Sequence, residues 1–232
     1  MATLNELVYD LTNLIRSGRI SDDEPLSPRL IEFWIQNTRS RLIRNDLEKK
    51  RSINPDLIQT LGCVPLSPVD ASECGCTTVG CKVLRTDSQI PHAIELYQKN
   101  LITRVGPINT LEKPYTMISY HRVPFIGSDK FTKKLIRSVL HNGYIYLILN
   151  DKISRLSMVN IQGVFEDPTE AGQFNHCNGD ACYTSDSTYP ISSVMIEDMK
   201  KMIIDNNFKI AISAPTDNLG NASHEVESNV EQ

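Results

Sequence analysis

The chain has 232 residues, of which 40% are hydrophobic and 22% charged, so it can bury a core and wholesale disorder is not expected. Its formal net charge of −4 weighs against a sequence-independent DNA-binding protein, which needs clustered Lys and Arg to displace counterions. Four acids and no Lys or Arg follow Lys209, so the charge of that tail equals the net charge and residues 1–209 are balanced.

Two helices are predicted at the N-terminus. Leu4, Leu7 and Leu11 recur at the spacing of an amphipathic helix, which the sequence Ser-Gly at residues 17–18 should end. Ser27 is a typical N-cap residue, and the proline after it suits the first position of a helix, where a missing N–H costs nothing. We therefore expect a second helix from residue 28 to about residue 48.

The apolar residues of the second helix spread over an arc wider than about 200°, too wide for one packing face. Two interpretations remain open: a central helix buried by the rest of its own chain, or a helix shared between its own core and a neighbouring subunit. In the second interpretation, Ile31, Trp34 and Ile35 pack against both core and neighbour, and Arg39 and Arg41 are charged partners.

Short apolar runs between prolines and glycines follow a predicted short helix at residues 56–61 and indicate a β-rich region. Predicted strands lie at residues 82–84, 101–105, 115–120 and 144–149. Residues 153–165 are expected to pair with residues 144–149 as a hairpin. A helix at residues 129–141 is also predicted, although Asn142-Gly143 is equally typical of a hairpin turn.

A further amphipathic helix is predicted from residue 191 to residue 207, and residues 208–212 are a candidate last strand. The predicted fold is α+β. An N-terminal helical module (1–61) is followed by a long β-rich insertion (62–190). A returning helix (191–207) packs on the N-terminal module, and a C-terminal arm (208–232) is loose when isolated.

Two groups of cysteines are candidate metal ligands. The chain shows neither a secretion signal nor a bilayer-spanning apolar run, so we expect a reducing cytoplasm, and thiols or metal ligands in preference to disulfides. Together the two groups and a histidine could hold structural zinc, but their spacing is not that of paired CxxC knuckles, and ordinary loop thiols remain the alternative. The residues concerned are Cys74, Cys76, Cys81, His176, Cys177 and Cys182.

Nothing in the sequence predicts catalysis. The P-loop, GxGxxG, G-x-S-x-G and HExxH patterns are all missing from the 232 residues, and the five histidines share no spacing. We therefore expect no enzyme, no resident cofactor and no catalytic residues.

The opening helix, the acidic turn SDDEPLS at residues 21–27 and the tryptophan-bearing second helix resemble the N-terminal module of bacteriophage head–tail connector proteins. A closer resemblance is to ring proteins of crAss-like phages. It rests on GRISDD (18–23), RLIEFWI (29–35), GCKVLRT (80–86) followed by Ile90-Pro91, YPI (189–191) and PTD (215–217).

This resemblance implies a structural virion protein without catalysis, assembled in the bacterial cytoplasm and not bound to a membrane. It implies a ring of twelve copies below the portal, in contact with further tail ring proteins, through which genomic DNA passes without specific binding. Asp22, Asp23 and Glu24 are then expected to meet basic residues of the portal or a neighbouring subunit, and Asp217 lies in an arm that makes such contacts. The alternative is a zinc-stabilised, stand-alone protein- or nucleic-acid-binding module.

Overall fold

The computed structural model of the chain describes residues 2–15, 26–49, 52–70, 82–97, 99–125, 135–148 and 156–209. Its helices are α1 (Leu4–Ile15), α2 (Pro28–Glu48) and α3 (Ser193–Met202), and α3 continues into a π-helical turn, Ile203–Phe208. The Ser27 hydroxyl accepts a 3.3 Å hydrogen bond from the backbone N–H of Leu30, as an N-cap does. The predicted bounds of α2 are confirmed, and α1 contains the apolar residues predicted for it. The Ser-Gly pair expected to end α1, at residues 17–18, lies outside the described residues.

Nine strands form two sheets within the described residues. They are β1 (Gln59–Asp70), β2 (Lys82–Thr86), β3 (Glu95–Leu96), β4 (Lys99–Asn100), β5 (Ile102–Gly106), β6 (Thr116–Ile118), β7 (Arg137–His141), β8 (Tyr144–Ile148) and β9 (Met158–Gly163). The large sheet has the order β5-β9-β1-β2-β8-β7-β6, and β3 and β4 form a small hairpin of their own. Every pair is antiparallel except β6 with β7.

The large sheet curls until its two edge strands approach each other. The backbone N–H of Tyr115, which immediately precedes β6, donates a 2.7 Å hydrogen bond to the carbonyl oxygen of Val105 in β5. A bulge in β1 between Leu61 and Val64 assists this curvature, because an extra residue bends the strand that carries it. The result is a nearly closed, barrel-like sheet.

The predicted α+β fold built on an N-terminal helical bundle is wrong, because the structure is mostly β. The apolar faces of the helices do not form a separate core. Leu7 of α1, Ile35 of α2 and Met199 of α3 belong to the same buried cluster as Ile145 and Ile161 of the sheet. The three helices and the large sheet therefore share one core. The predicted division into four segments stays a prediction.

Several local predictions also need correction. The short helix expected at residues 56–61 is one 3₁₀ turn, Pro55–Leu57, after which β1 begins. The segment expected to pair with β8 contains β9, which pairs with β1 and β5 instead.

Residues 137–141 are a strand, not the end of a helix. Asn142 and Gly143, with φ of 50° and 79°, make the tight turn that joins β7 to β8. Asn-Gly can end a helix or form a hairpin turn, and here it forms the hairpin turn. The predicted helix is therefore wrong for residues 137–141.

Candidate subunit interface

Helix α2 has one exposed stripe, formed by every fourth residue. The stripe consists of Arg29, Phe33, Asn37, Arg41 and Asn45. Phe33 is 58% exposed and is the one large hydrophobic side chain of α2 that lies open to solvent. An aromatic ring flanked by arginines is the composition found at the centres of protein interfaces. We define Arg29, Phe33 and Arg41 as the α2 stripe.

The opposite face of α2 is enclosed by its own chain. Ile31 and Ile35 are at most 1% exposed, and Trp34 is 9% exposed. The sequence assigned these three residues to packing shared with a neighbouring subunit, whereas the structure gives them no appreciable free surface. The width of the apolar arc reflects a helix covered by the sheet on one side and by α1 and α3 on others. Of the predicted contact residues in α2, Arg41 remains exposed.

Arg39 is fully buried and is a structural residue of the monomer rather than a free charge. Its Nε and Nη1 atoms donate 2.7 Å hydrogen bonds to the carbonyl oxygens of Pro190 and Phe165. The guanidinium carbon lies 5.7 Å from the centre of the Tyr189 ring. Burial lowers the pKa of Arg39, while the nearby tyrosines and Asp167 oppose that shift. Arginine on a helix usually indicates a surface, so the sequence pattern could not reveal this role.

The remaining contact residues from the sequence, Asp22, Asp23, Glu24 and Asp217, lie outside the described residues. Among the described residues, Lys200 of α3 forms a salt bridge to α1. Its Nζ lies 2.6 Å from a carboxylate oxygen of Asp10 in α1 and 3.2 Å from one of Glu197 in α3. The hydrogen bond to Asp10 is the main cause that raises the pKa of Lys200.

Cys63 and Cys177 form a disulfide that ties β1 to the loop after the sheet. This corrects the expectation of free thiols, and Cys63 was in neither predicted cysteine group. Cys182 is a free thiol close by: its sulfur lies 3.8 Å from Nδ1 of His176 and 3.4 Å from the backbone nitrogen of Gly62, which donates to it. Burial raises the pKa of the Cys182 thiol, and that N–H group opposes the shift.

The described part of the chain contains no cluster of three His, Cys, Asp or Glu side chains able to hold a metal ion. Cys74, Cys76 and Cys81 lie outside that part. Cys177, one of the six candidate zinc ligands, is already bonded to Cys63. The zinc-stabilised module therefore gains no support from the residues that are described. Among the described helices, none combines the length and the apolar character needed to cross a bilayer.

Comparison with known proteins gives a consistent family assignment. Residues 6–228 match the sequence family described as phage tail ring protein 2. Ring protein 2 of Bacteroides phage crAss001 is 26% identical to the chain over 207 residues, which cover 87% of this chain and 88% of that protein. The match therefore includes the helices, the barrel and most of the segment that follows them.

Proposed function

The chain belongs to the phage tail ring protein 2 family, and we propose that twelve copies of it form a ring below the portal in the head–tail connector. Membership of this family makes it a structural ring protein of the phage tail, found in the virion and associated with copies of itself. The copy number, the position below the portal, the DNA channel and assembly in the host cytoplasm belong to the proposal. The observation that carries it is the family match over residues 6–228.

The α2 stripe supports a role in contacts between subunits. A closed ring needs heterologous contacts, in which one face of each subunit meets a different face of the next. Phe33 offers an apolar anchor, and Arg29 and Arg41 lie one turn before it and two turns after it on the same side of the helix. The candidate ion-pair partners of these two arginines are acidic residues of a neighbouring copy: Asp22, Asp23, Glu24 and Asp217. The same acids are the candidate contacts with basic residues of the portal.

The charge balance supports a ring that lets DNA slide. Residues 1–209 carry no net charge and the arm after them is acidic. A wall without a strong positive field does not hold the phosphate backbone, so DNA passes without specific binding. The same ring provides the attachment platform for further tail ring proteins.

Cryo-electron microscopy of the intact particle tests the proposal directly. Focused reconstruction of the connector, with imposed symmetry relaxed, should show this chain as one layer of twelve copies below the portal and around the DNA path. Native mass spectrometry of the purified chain at increasing concentration provides the independent count of copies. The position of the chain elsewhere in the particle, or a copy number other than twelve, would contradict the corresponding part of the proposal.

A further inference from the structure

A cleft of about 680 Å³ is lined by the two edge strands of the large sheet, β5 and β6, and by the β3–β4 hairpin. Its apolar wall includes Ile102 and Val105 of β5, Met117 and Ile118 of β6, and Leu140 of β7. The two edges touch where Tyr115 bonds to Val105, and an antiparallel pair continuing from that contact would place Thr103 opposite Met117. Thr103 and Met117 instead lie on walls of the cleft and are both exposed. We call this cleft the barrel seam.

The loop that joins β5 to β6, beside the barrel seam, is anchored to the sheet by Arg104. Arg104 of β5 uses its Nη2 atom to donate to the carbonyl oxygens of Thr110 and Glu112, at 3.2 and 3.1 Å, in the loop that joins β5 to β6. Its Nη1 atom lies 3.3 Å from the side-chain oxygen of Asn160 in β9. One guanidinium thus fixes the loop to the sheet. Edge strands beside such an opening present backbone groups that can pair with a further strand.

The chain itself contains a segment suited to this position. Ile210, Ile212 and Ala214 alternate with Ala211 and Ser213, which is the period of a strand with one apolar face. Phe208, where the sequence suggested that a last strand begins, is instead the final residue of the π-helical turn. Pro215 follows and cannot donate to a ladder, so a strand should end there. Residues 210–214 follow directly after Lys209, the last of the described residues. We propose that residues 210–214 of one copy add as a β-strand to the barrel seam of a second copy.

The segment cannot fill the seam of its own chain. Arg44 Nε donates a 3.1 Å hydrogen bond to the carbonyl oxygen of Glu95, which places the seam beside the C-terminal half of α2. Met195 at the start of α3 packs on the cluster of Ile43 in the same half. Beyond the other end of α3, Ile204 and Asp205 line a groove together with Asp10 and Leu14 of α1.

The chain therefore leaves α3 beside α1, and none of the described residues that line the seam belongs to α1. The 14 positions from Met195 to Lys209 correspond to roughly 20 Å at a rise of about 1.5 Å per residue. Because the strand would start directly after Lys209, no linker is available to cross that distance. A neighbouring subunit supplies a seam at another place, so the contact is between copies. The inference rests on the proposed ring and names one of its contacts.

A photo-crosslink between copies tests the inference. The full-length chain is prepared with benzoylphenylalanine in place of Met117, in ¹⁴N and ¹⁵N forms, and the two are mixed before assembly and illumination. The expected crosslinked peptide joins position 117 to residues 210–214 and carries mixed isotope labels. Crosslinks to those residues with one label only, to other residues alone, or none at all would overturn the inference.

A pair of variants separates strand addition from chance proximity. Ile210→Asp with Ile212→Asp places charges on the apolar face, and the crosslink yield should fall about tenfold or more, because burying unpaired charges is costly. Ala211→Asp with Ser213→Asp adds the same charge to the opposite face and should change the yield by no more than about twofold. Equal losses in both variants would contradict a strand with one buried face.

The ring and the seam contact can fail separately. Rings seen by native mass spectrometry without the crosslink to residues 210–214 overturn the seam contact and leave the ring standing. Mixed-label crosslinks in open chains of copies that never close support the seam contact and contradict the ring. A chain that stays monomeric and uncrosslinked at every concentration counts against both.

Discussion

Arg39 Nε donates a 2.7 Å hydrogen bond to the carbonyl oxygen of Pro190, which lies 151 positions further along the chain. Through this bond, and through the equally short one to Phe165, α2 holds together the end of the barrel and the start of the returning helix. A buried cation that bridges two backbone carbonyls is a determinant of the monomer's fold.

Arg39→Met should lower the free energy of unfolding by about 3 kcal/mol or more, because two buried carbonyl groups lose charged donors. Urea denaturation followed by the fluorescence of the single tryptophan measures the loss. Arg41→Met is the matched control, since Arg41 is exposed on the same helix and its replacement should change stability by no more than about 0.5 kcal/mol. Equal effects of the two substitutions would contradict the structural role of Arg39.

Trp34 and Phe33 are adjacent in sequence but differ in environment: Trp34 is buried and Phe33 is exposed. Trp34→Ala should cost about 3–5 kcal/mol of stability, because the indole is enclosed in the core. Circular dichroism during denaturation provides the measurement once the fluorophore is gone.

Phe33→Ala should leave stability nearly unchanged and weaken association between copies, because more than half of the ring is exposed in the monomer. Analytical ultracentrifugation at several concentrations measures association, and the same denaturation assay confirms the fold. Unimpaired association of a folded Phe33→Ala chain would remove the α2 stripe from the interface. A stable Trp34→Ala chain that only loses association would instead restore the shared packing inferred from the sequence.

The sequence predicts local elements wherever their signals lie close together. The cap and proline at residues 27–28 locate the start of α2, and the run at 144–149 locates β8 to within one residue. It does not predict pairing between distant strands. β9 lies next to β1, almost a hundred residues earlier, and no local signal distinguishes that partner from β8, its neighbour in sequence. The error in fold class follows, because the curled sheet exists only through such long-range pairs.

The candidate interface could likewise be predicted from the sequence only in part. A hydrophobic arc on α2 records how much of the helix is buried, but not whether its own chain or another one buries it. Ile31 and Trp34 therefore gave the same signal in both interpretations. In the structure both residues are enclosed by their own chain, and Phe33, another apolar residue of the same arc, is the exposed one and so a further interface candidate. That Ile31 and Trp34 also meet a neighbouring subunit stays a prediction. Family membership, by contrast, was readable from short sequence runs at both ends and in the middle of the chain.

The disulfide between Cys63 and Cys177 closes a loop with a sequence separation of 114 residues. Its reduction should lower the free energy of unfolding by about 2–4 kcal/mol, because the reduced unfolded chain regains conformational freedom. Denaturation with and without a phosphine reductant measures the difference. The difference should persist in Cys182→Ala, which keeps the disulfide, and vanish in Cys63→Ala. A reductant effect of the same size in Cys63→Ala would show that another bond is responsible.

Stability should also fall at alkaline pH because two buried tyrosines resist ionisation. Burial raises the pKa of Tyr183 to about 12 and raises that of Tyr189 well above its usual range. Both folded-state pKa values exceed that of an unfolded tyrosine, about 10. The stabilising contribution is therefore complete below pH 10 and is lost as pH rises through the folded-state values, when unfolding releases protons.

The double variant Tyr183→Phe with Tyr189→Phe has no hydroxyl groups to ionise at these positions. Between about pH 10 and 12, its unfolding free energy should fall less than that of the parent chain, by about 2 kcal/mol for each tyrosine removed. At pH 7 it should be as stable as the parent or slightly more so, because neither hydroxyl has a hydrogen-bond partner among the described residues. Chemical denaturation at a series of pH values measures both effects. Parallel stability curves for parent and variant above pH 10 would mean that these tyrosines do not limit alkaline stability. A large loss of unfolding free energy in the variant at pH 7 would instead reveal a hydrogen bond from a tyrosine hydroxyl to water or to a residue outside the described ranges.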